Sequence, residues 1–305
     1  MPAQPLTGPR LLVFADSLAF HGPTGPMPAD DPRLWPNLAA ARLGGQAHLF
    51  AGFGWTARDA WWALAGDPNI WALLPQVDAL VLAVGSMDTL PSPLPTYLRT
   101  GLRYLRPDPL RRTARKAYLA AQPVLSRLLR GRPVTLPPAL TVRYLGDCLH
   151  AIRALRPDLP AVGVLPPTHR APSYSAVHTG HGPATAAIRA WGARSDVPLL
   201  DLTALTGRHV LAGEGNPDGI HWGWAGHEAV ATALVEVLGG RSLLGGRPGH
   251  EDVLANDDRS SNDAKPMSDN HPDQPAELGR PADRDEPNDL DQSADRDRPS
   301  GRIDA

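Results

Sequence analysis

Five short, nearly continuous apolar runs punctuate the first 240 residues: RLLVFA at 10–15, AHLFAG at 47–52, ALVLAV at 79–84, AVGVLP at 161–166 and PLLDLT at 198–203. Their apolar positions do not alternate with polar ones, so they read as strands buried on both faces, as in parallel sheets. Between them apolar residues recur at helical spacing over 33–45, 56–66, 139–158, 183–195 and 223–240, the first segment closing on Gly44-Gly45. Strand-helix alternation of this kind predicts an α/β fold, a doubly wound parallel sheet in a three-layer α/β/α arrangement. In such sheets the ligand crevice lies beyond the carboxyl ends of the strands.

Two segments break the pattern. After the third strand, residues 91–138 carry ten basic residues (Arg99, Arg103, Arg106, Arg111, Arg112, Arg115, Lys116, Arg127, Arg130 and Arg132) against one acid, Asp108, with Leu and Tyr at helical spacing between them. This reads as an amphipathic helical insertion with a solvated basic face. The alternatives are a cap that attracts an anionic ligand, or a weak contact with a membrane surface through 99–132. No signature of nucleic-acid recognition accompanies the charge. From 245 to 305 the chain holds 16 acidic and 8 basic residues without apolar periodicity, and is expected to be a disordered acidic tail. The overall charge of −2 is therefore split between a tail at −8 and a body at +6. The body, residues 6–244, suits one domain. Cys148 is the sole cysteine, the N-terminus has no apolar signal segment, and no apolar run is long enough to span a bilayer. A cytoplasmic location is the expectation, and nothing in the sequence fixes an oligomeric state.

The stretch LLVFADSLAF delivers Ser17 to the carboxyl end of the first strand, with Asp16 before it. A serine hydroxyl is barely ionised at neutral pH and attacks only when a base removes its proton. EGNPDGIHWGWAGHEA, just ahead of the last helix, supplies Asp218 three residues before His221, a spacing that lets a carboxylate orient an imidazole. The spacing alone is common in turns; its place in the chain, opposite a serine after the first strand, gives it weight.

That order resembles the SGNH (GDSL-type) hydrolase superfamily, whose fold is a flavodoxin-like α/β/α sandwich. FADSL matches its first block, AGFGWT its glycine block, VGSMD its third and DGIHW its fifth. The resemblance implies Ser17 as nucleophile, Asp218 and His221 as its partners, and the backbone amides of Ser17 and Gly54 as oxyanion donors. One position departs: where the superfamily usually carries an Asn donor, this chain has Met87, which cannot donate, so a third donor is missing unless Ser86 supplies it. Loss of one such donor can cost about 10²–10³ in rate, so a site tuned away from fast hydrolysis is expected. LLVFADSL, GPTGPMPADDPRLWPN, GWTARDAWWAL, GSMDTLPS and GNPDGIHW together resemble the diglucosylglycerate octanoyltransferase family within it. This implies transfer of an octanoyl group, from a thioester such as octanoyl-CoA, through Ser17 to a sugar hydroxyl in methylglucose lipopolysaccharide biosynthesis. It implies small-molecule donor and acceptor and no bound cofactor.

Residues near these blocks are candidates for substrate contact: Trp55, Trp61 and Trp222 as sugar platforms, Arg58 and Arg170 for a glycerate carboxylate, and His178 in the loop 166–183. Each has a plainer reading, as core aromatic or solvated cation. His169, His178 and His181 do not have the spacing of a zinc site, so no metal is expected. Asp59 and Asp88 either buttress the site or cap turns. Two rivals to acyl transfer stand: an esterase or deacetylase on carbohydrate or lipid esters, and a non-catalytic sugar- or acyl-binding module.

Overall fold

The computed structural model describes residues 8–94, 98, 101 and 104–240. Five strands, β1 (Arg10–Ala15), β4 (Gln46–Ala51), β5 (Ala79–Ala83), β6 (Ala161–Leu165) and β7 (Leu199–Asp201), form one parallel sheet in the order β4-β1-β5-β6-β7. Counting only these strands, that is the order 2-1-3-4-5 of doubly wound sheets, whose direction of growth reverses between the first and third strands. Ala15 lies between Ala51 on one side and Ala83 on the other. The serine after β1 therefore emerges where the sheet switches direction.

Both faces of the sheet are covered, which is why the strands read as unbroken apolar runs. Leu12 and Phe14 face one core, with α2 (Ala57–Gly66), α3 (Pro68–Leu73), α5 (Pro138–Leu155) and α6 (His181–Ser195) over them. Leu11, Val13 and Ala15 face the other, under α1 (Trp35–Arg42), α7 (Leu202–Ala212) and α8 (Trp224–Gly240). The last of these helices closes the domain, its Val230, Leu234 and Leu238 almost wholly buried.

Three features differ from the sequence expectation. The fifth run ends early, because the Asp201 side chain accepts the Ala204 amide and starts α7 at Leu202. A short helix, α3, occupies 68–73, started by Asp67 capping the Asn69 amide and by Pro68 at the first helical position. A two-residue hairpin, β2 (His21–Gly22) with β3 (Gly25–Pro26), stands directly after Ser17. As the sequence reading expects, the 91–138 insertion is helical: α4 (Asp108–Leu128) rises from a stem in which the Ser92 amide donates to the Pro133 carbonyl and the Thr135 amide to that of Leu90. Arg99, Arg103 and the whole 245–305 tail lie outside the described residues.

Phe14 of β1 is fully buried and stacks on Phe50 of the neighbouring β4 at 5.9 Å between ring centroids. Phe14→Ala is expected to cost about 3–5 kcal/mol, read as a lowered midpoint of urea unfolding with little change in slope.

Candidate active site

Three loops meet at the carboxyl ends of β4, β1 and β5. The middle one turns sharply: Asp16 caps a single 3-10 turn, Ser17–Ala19, accepting the Leu18 amide at 2.9 Å. This fixes Ser17 at the head of the turn, 3% exposed. Its hydroxyl lies 2.9 Å from Nε2 of His221, and Nδ1 of His221 lies 2.5 Å from Oδ2 of Asp218. With Asp218 a carboxylate, Nδ1 carries the proton and Nε2 is left to accept from Ser17. Residues 204 positions apart thus form one hydrogen-bonded chain.

The turn that carries the histidine is held at nearly every polar atom. Asp218 Oδ1 accepts the amides of Ile220 and His221, the Asp218 amide donates to the Asn216 side chain, and the Gly219 amide donates to the Asn216 carbonyl. Gly219 has φ +73°, and a Cβ there would fall within 3.0 Å of the Arg170–Ala171 backbone, so glycine is required twice over. The Arg170 amide completes the arrangement by donating to the Gly219 carbonyl at 2.9 Å. Burial pushes the Asp218 carboxyl up, but the hydrogen bond and charge of His221, with the two turn amides, more than offset this and hold it below the usual carboxylate range.

Gly54, with φ +67°, sits in the loop beyond β4, next to the serine loop. Met87 occupies the facing loop, its methyl 3.9 Å from where a Gly54 Cβ would be. Ser86 is buried and its hydroxyl makes no hydrogen bond among the described residues, though it lies near enough to Asp16 to help hold that carboxyl down. Burial nevertheless raises Asp16 to about 6, against the Leu18 amide and the charge of His221. Asp88 is fully buried and ties two helices to this loop: it accepts the Ala57 amide at the start of α2 and the Thr141 hydroxyl of α5 at 2.7 Å. Burial lifts it to about 7 against those two hydrogen bonds. Asp59 instead closes a capping box with Thr56.

Several candidate substrate residues are placed otherwise than expected. Trp222 is 2% exposed, and its side chain lines a small internal void beneath β1 with Leu18, Trp35 and Val230; it packs in the core and presents no face to a sugar. The Arg170 guanidinium donates to the Leu211 carbonyl, so it closes the end of α7. Nε2 of His178 lies 2.7 Å from the Thr89 hydroxyl, which itself donates to the Ser86 carbonyl, so His178 braces the Met87 loop. Trp61 packs partly buried on the core. Trp55 folds its indole against Gly52, and the Arg58 guanidinium lies 4.7 Å over Trp62, an exposed ring. These last two are the ones left at the rim of the glycine loop.

Two aromatic groups missing from the sequence reading lie against the histidine. His21 stacks face to face on His221, ring centroids 3.7 Å apart and planes 15° from parallel. Phe53 meets His21, His221 and Phe20 edge-on. Phe53 was legible as a bulky residue inside the glycine block; His21 follows Ser17 by four residues with no motif to mark it. His21, Asp218 and His221 also form a group of potential metal-ligand atoms. Each offers one ligand atom, so a metal taking either nitrogen of His221 would break that ring's link to Ser17 or to Asp218. His169 and His178 are held neutral by burial, at about 4 and about 3.

Asp88 supplies a pH signature. Below about pH 3 its carboxyl is protonated in folded and unfolded chains alike; as pH rises through 4 towards 7, the unfolded chain loses the proton while the folded chain keeps it, so stability falls across that window. Asp88→Asn should flatten this fall by up to about 4 kcal/mol, measured by urea unfolding on either side of the window. An unchanged pH dependence would mean that this carboxyl ionises freely in the folded protein.

No family model matches the chain. Among solved structures, it is similar to a lipase/acylhydrolase from Enterococcus faecalis (15% identity, 76% of this chain and 96% of that one, TM-score 0.49) and to a carbohydrate acetylesterase family member from Sinorhizobium meliloti (17% identity, 78% and 99%, TM-score 0.48). Sequence relatives are far nearer. It is 48% identical over 230 residues to the diglucosylglycerate octanoyltransferase of Mycobacterium tuberculosis, covering 75% of this chain and 92% of that one. The same identity, over 75% of this chain and 95% of the relative, holds for the enzyme of that name from Mycolicibacterium hassiacum. At this identity, carried across nearly the whole length of both relatives, the chain belongs to the diglucosylglycerate octanoyltransferase family.

Proposed function

We propose that the chain transfers an octanoyl group from a thioester, octanoyl-CoA, to a sugar hydroxyl of diglucosylglycerate through an ester on Ser17. The observation that carries this reading is the hydrogen-bonded chain Ser17–His221–Asp218 at the switch point of the sheet, in a member of this family. In the first half-reaction Ser17 Oγ attacks the thioester carbonyl and its proton passes to His221 Nε2. The C–S bond breaks, and the thiolate leaves with that proton. In the second, the sugar oxygen attacks the ester carbonyl as His221 takes its proton; the bond to Ser17 Oγ breaks and the serine recovers the proton. Asp218 holds the ring tautomer and stabilises the imidazolium formed in each step.

The negative charge on the carbonyl oxygen would be met by the amides of Ser17 and Gly54. Met87 fills the place of a third donor with an apolar thioether, which supports a site that stabilises its oxyanion modestly and keeps water away. The Phe53, Phe20 and His21 rings form an aromatic wall beside the imidazole, in keeping with a transferase that must protect an ester from hydrolysis.

Incubation with octanoyl-CoA and diglucosylglycerate should release thiol and form an octanoyl ester of the acceptor in equal amounts. Ser17→Ala should lower the rate by about 10³-fold or more. Thiol release without acceptor ester would identify an esterase, and failure of an organophosphorus ester to label Ser17 would leave a binding module. Met87→Asn, which restores an amide donor, should raise the share of octanoyl lost to water; no change, with the fold intact, would remove Met87 from the control of that partition.

A further inference from the structure

Helix α4 is inside out. Its most buried residues are polar, Gln122 at 6% and Ser126 at 0% exposed, while Leu110 (51%), Val124 (67%) and Leu128 (73%) face solvent. It packs on the 172–174 turn, and the neighbouring loop adds two hydrogen bonds, from the Ser175 hydroxyl to the Pro123 carbonyl and from the Thr179 hydroxyl to that of Arg130. At about 100° per residue, Leu110, Ala117, Val124 and Leu128 fall within about 40° of one another and form a strip along the outer side. Lys116 and Arg127, both exposed, lie on one flank of it, about 60–120° round the helix. Arg130 and Arg132, also exposed, extend the charge past the end of the helix. The one acid of the helix, Asp108, is engaged by Arg106 and Arg111.

We propose that α4 docks the protein on an anionic lipid surface, its aliphatic strip entering the headgroup boundary and its basic row lying over the phosphates. A basic row flanking an exposed aliphatic strip is the pattern of helices that lie in a membrane interface. The occupant follows from both halves of that pattern. The acidic tail at 245–305 complements the charge but has no aromatic residue and no apolar period with which to cover the strip. The phosphates of a thioester donor likewise satisfy only the basic row. A second copy would cover the strip but bring a second basic row against the first, and like charges repel. An anionic bilayer answers both. The helix rests on the surface and does not cross it, since no described helix is long and apolar enough to span a bilayer.

The test uses the full chain in co-sedimentation with vesicles of phosphatidylcholine alone or mixed with phosphatidylglycerol. Binding is expected on the anionic vesicles and should weaken in high salt. Lys116→Glu with Arg127→Glu should lower the partition about tenfold or more, and Val124→Asp with Leu128→Asp should do the same. All four side chains are exposed, so the circular-dichroism spectrum should be unchanged; Leu128→Ser offers a milder variant if the double aspartate unfolds. Equal binding to neutral and anionic vesicles, or binding indifferent to both pairs of substitutions, would overturn the proposal. So would a dimer in sedimentation equilibrium that Val124→Asp and Leu128→Asp dissociate, which would give the strip to a second copy.

Discussion

A single backbone hydrogen bond, from the Arg170 amide to the Gly219 carbonyl, joins the loop beyond β6 to the turn that carries Asp218 and His221. The imidazole must reach a serine 204 positions earlier in the chain, and it does so from a turn of six residues rather than from a strand or helix. Such a turn has little stiffness of its own. Its rigidity comes from saturation: Asn216 and Asp218 accept from within it, and Arg170 donates from outside. The geometry of the serine–histidine pair is therefore fixed by loop-to-loop hydrogen bonds laid over a sheet whose five strands are fixed by burial.

The carboxylates around the site divide into two kinds for the same reason. Asp218, partly exposed and surrounded by donors, is held as a charge. Asp16 and Asp88, fully buried with fewer donors, are pushed towards neutrality. Residues of one chemical type thus serve as a charged anchor for the imidazole and, with their ionisation opposed by burial, as ties for the loops that flank Ser17.

The fold was legible because β1, β5 and β6 are buried on both faces, which leaves an unmistakable apolar run, and because helices such as α5 and α8 bury one side at regular spacing. In the candidate site, residue type and order together marked Ser17, Asp218 and His221, which the fold brings into one hydrogen-bonded chain. What the pattern could not convey was direction. Trp222 follows His221 immediately, so when the imidazole points to the crevice the indole points to the core. Arg170 was read for its guanidinium, yet its backbone amide meets the triad turn while the side chain reaches the end of α7. His21 depends on a two-residue hairpin too short to leave a periodic trace, and α7 was hidden because the Leu202-Thr203 pair continues an apolar run whose strand ends at a capping aspartate.

The stack of His21 on His221 has a consequence for the order of events. An imidazole covered on one face, with one nitrogen bound to Asp218, cannot turn over between half-reactions without losing both contacts. Under the proposed chemistry, Nε2 alone must serve the departing sulfur and then the arriving sugar oxygen. Under that chemistry, donor and acceptor would draw on the same lone pair one after the other, never at once.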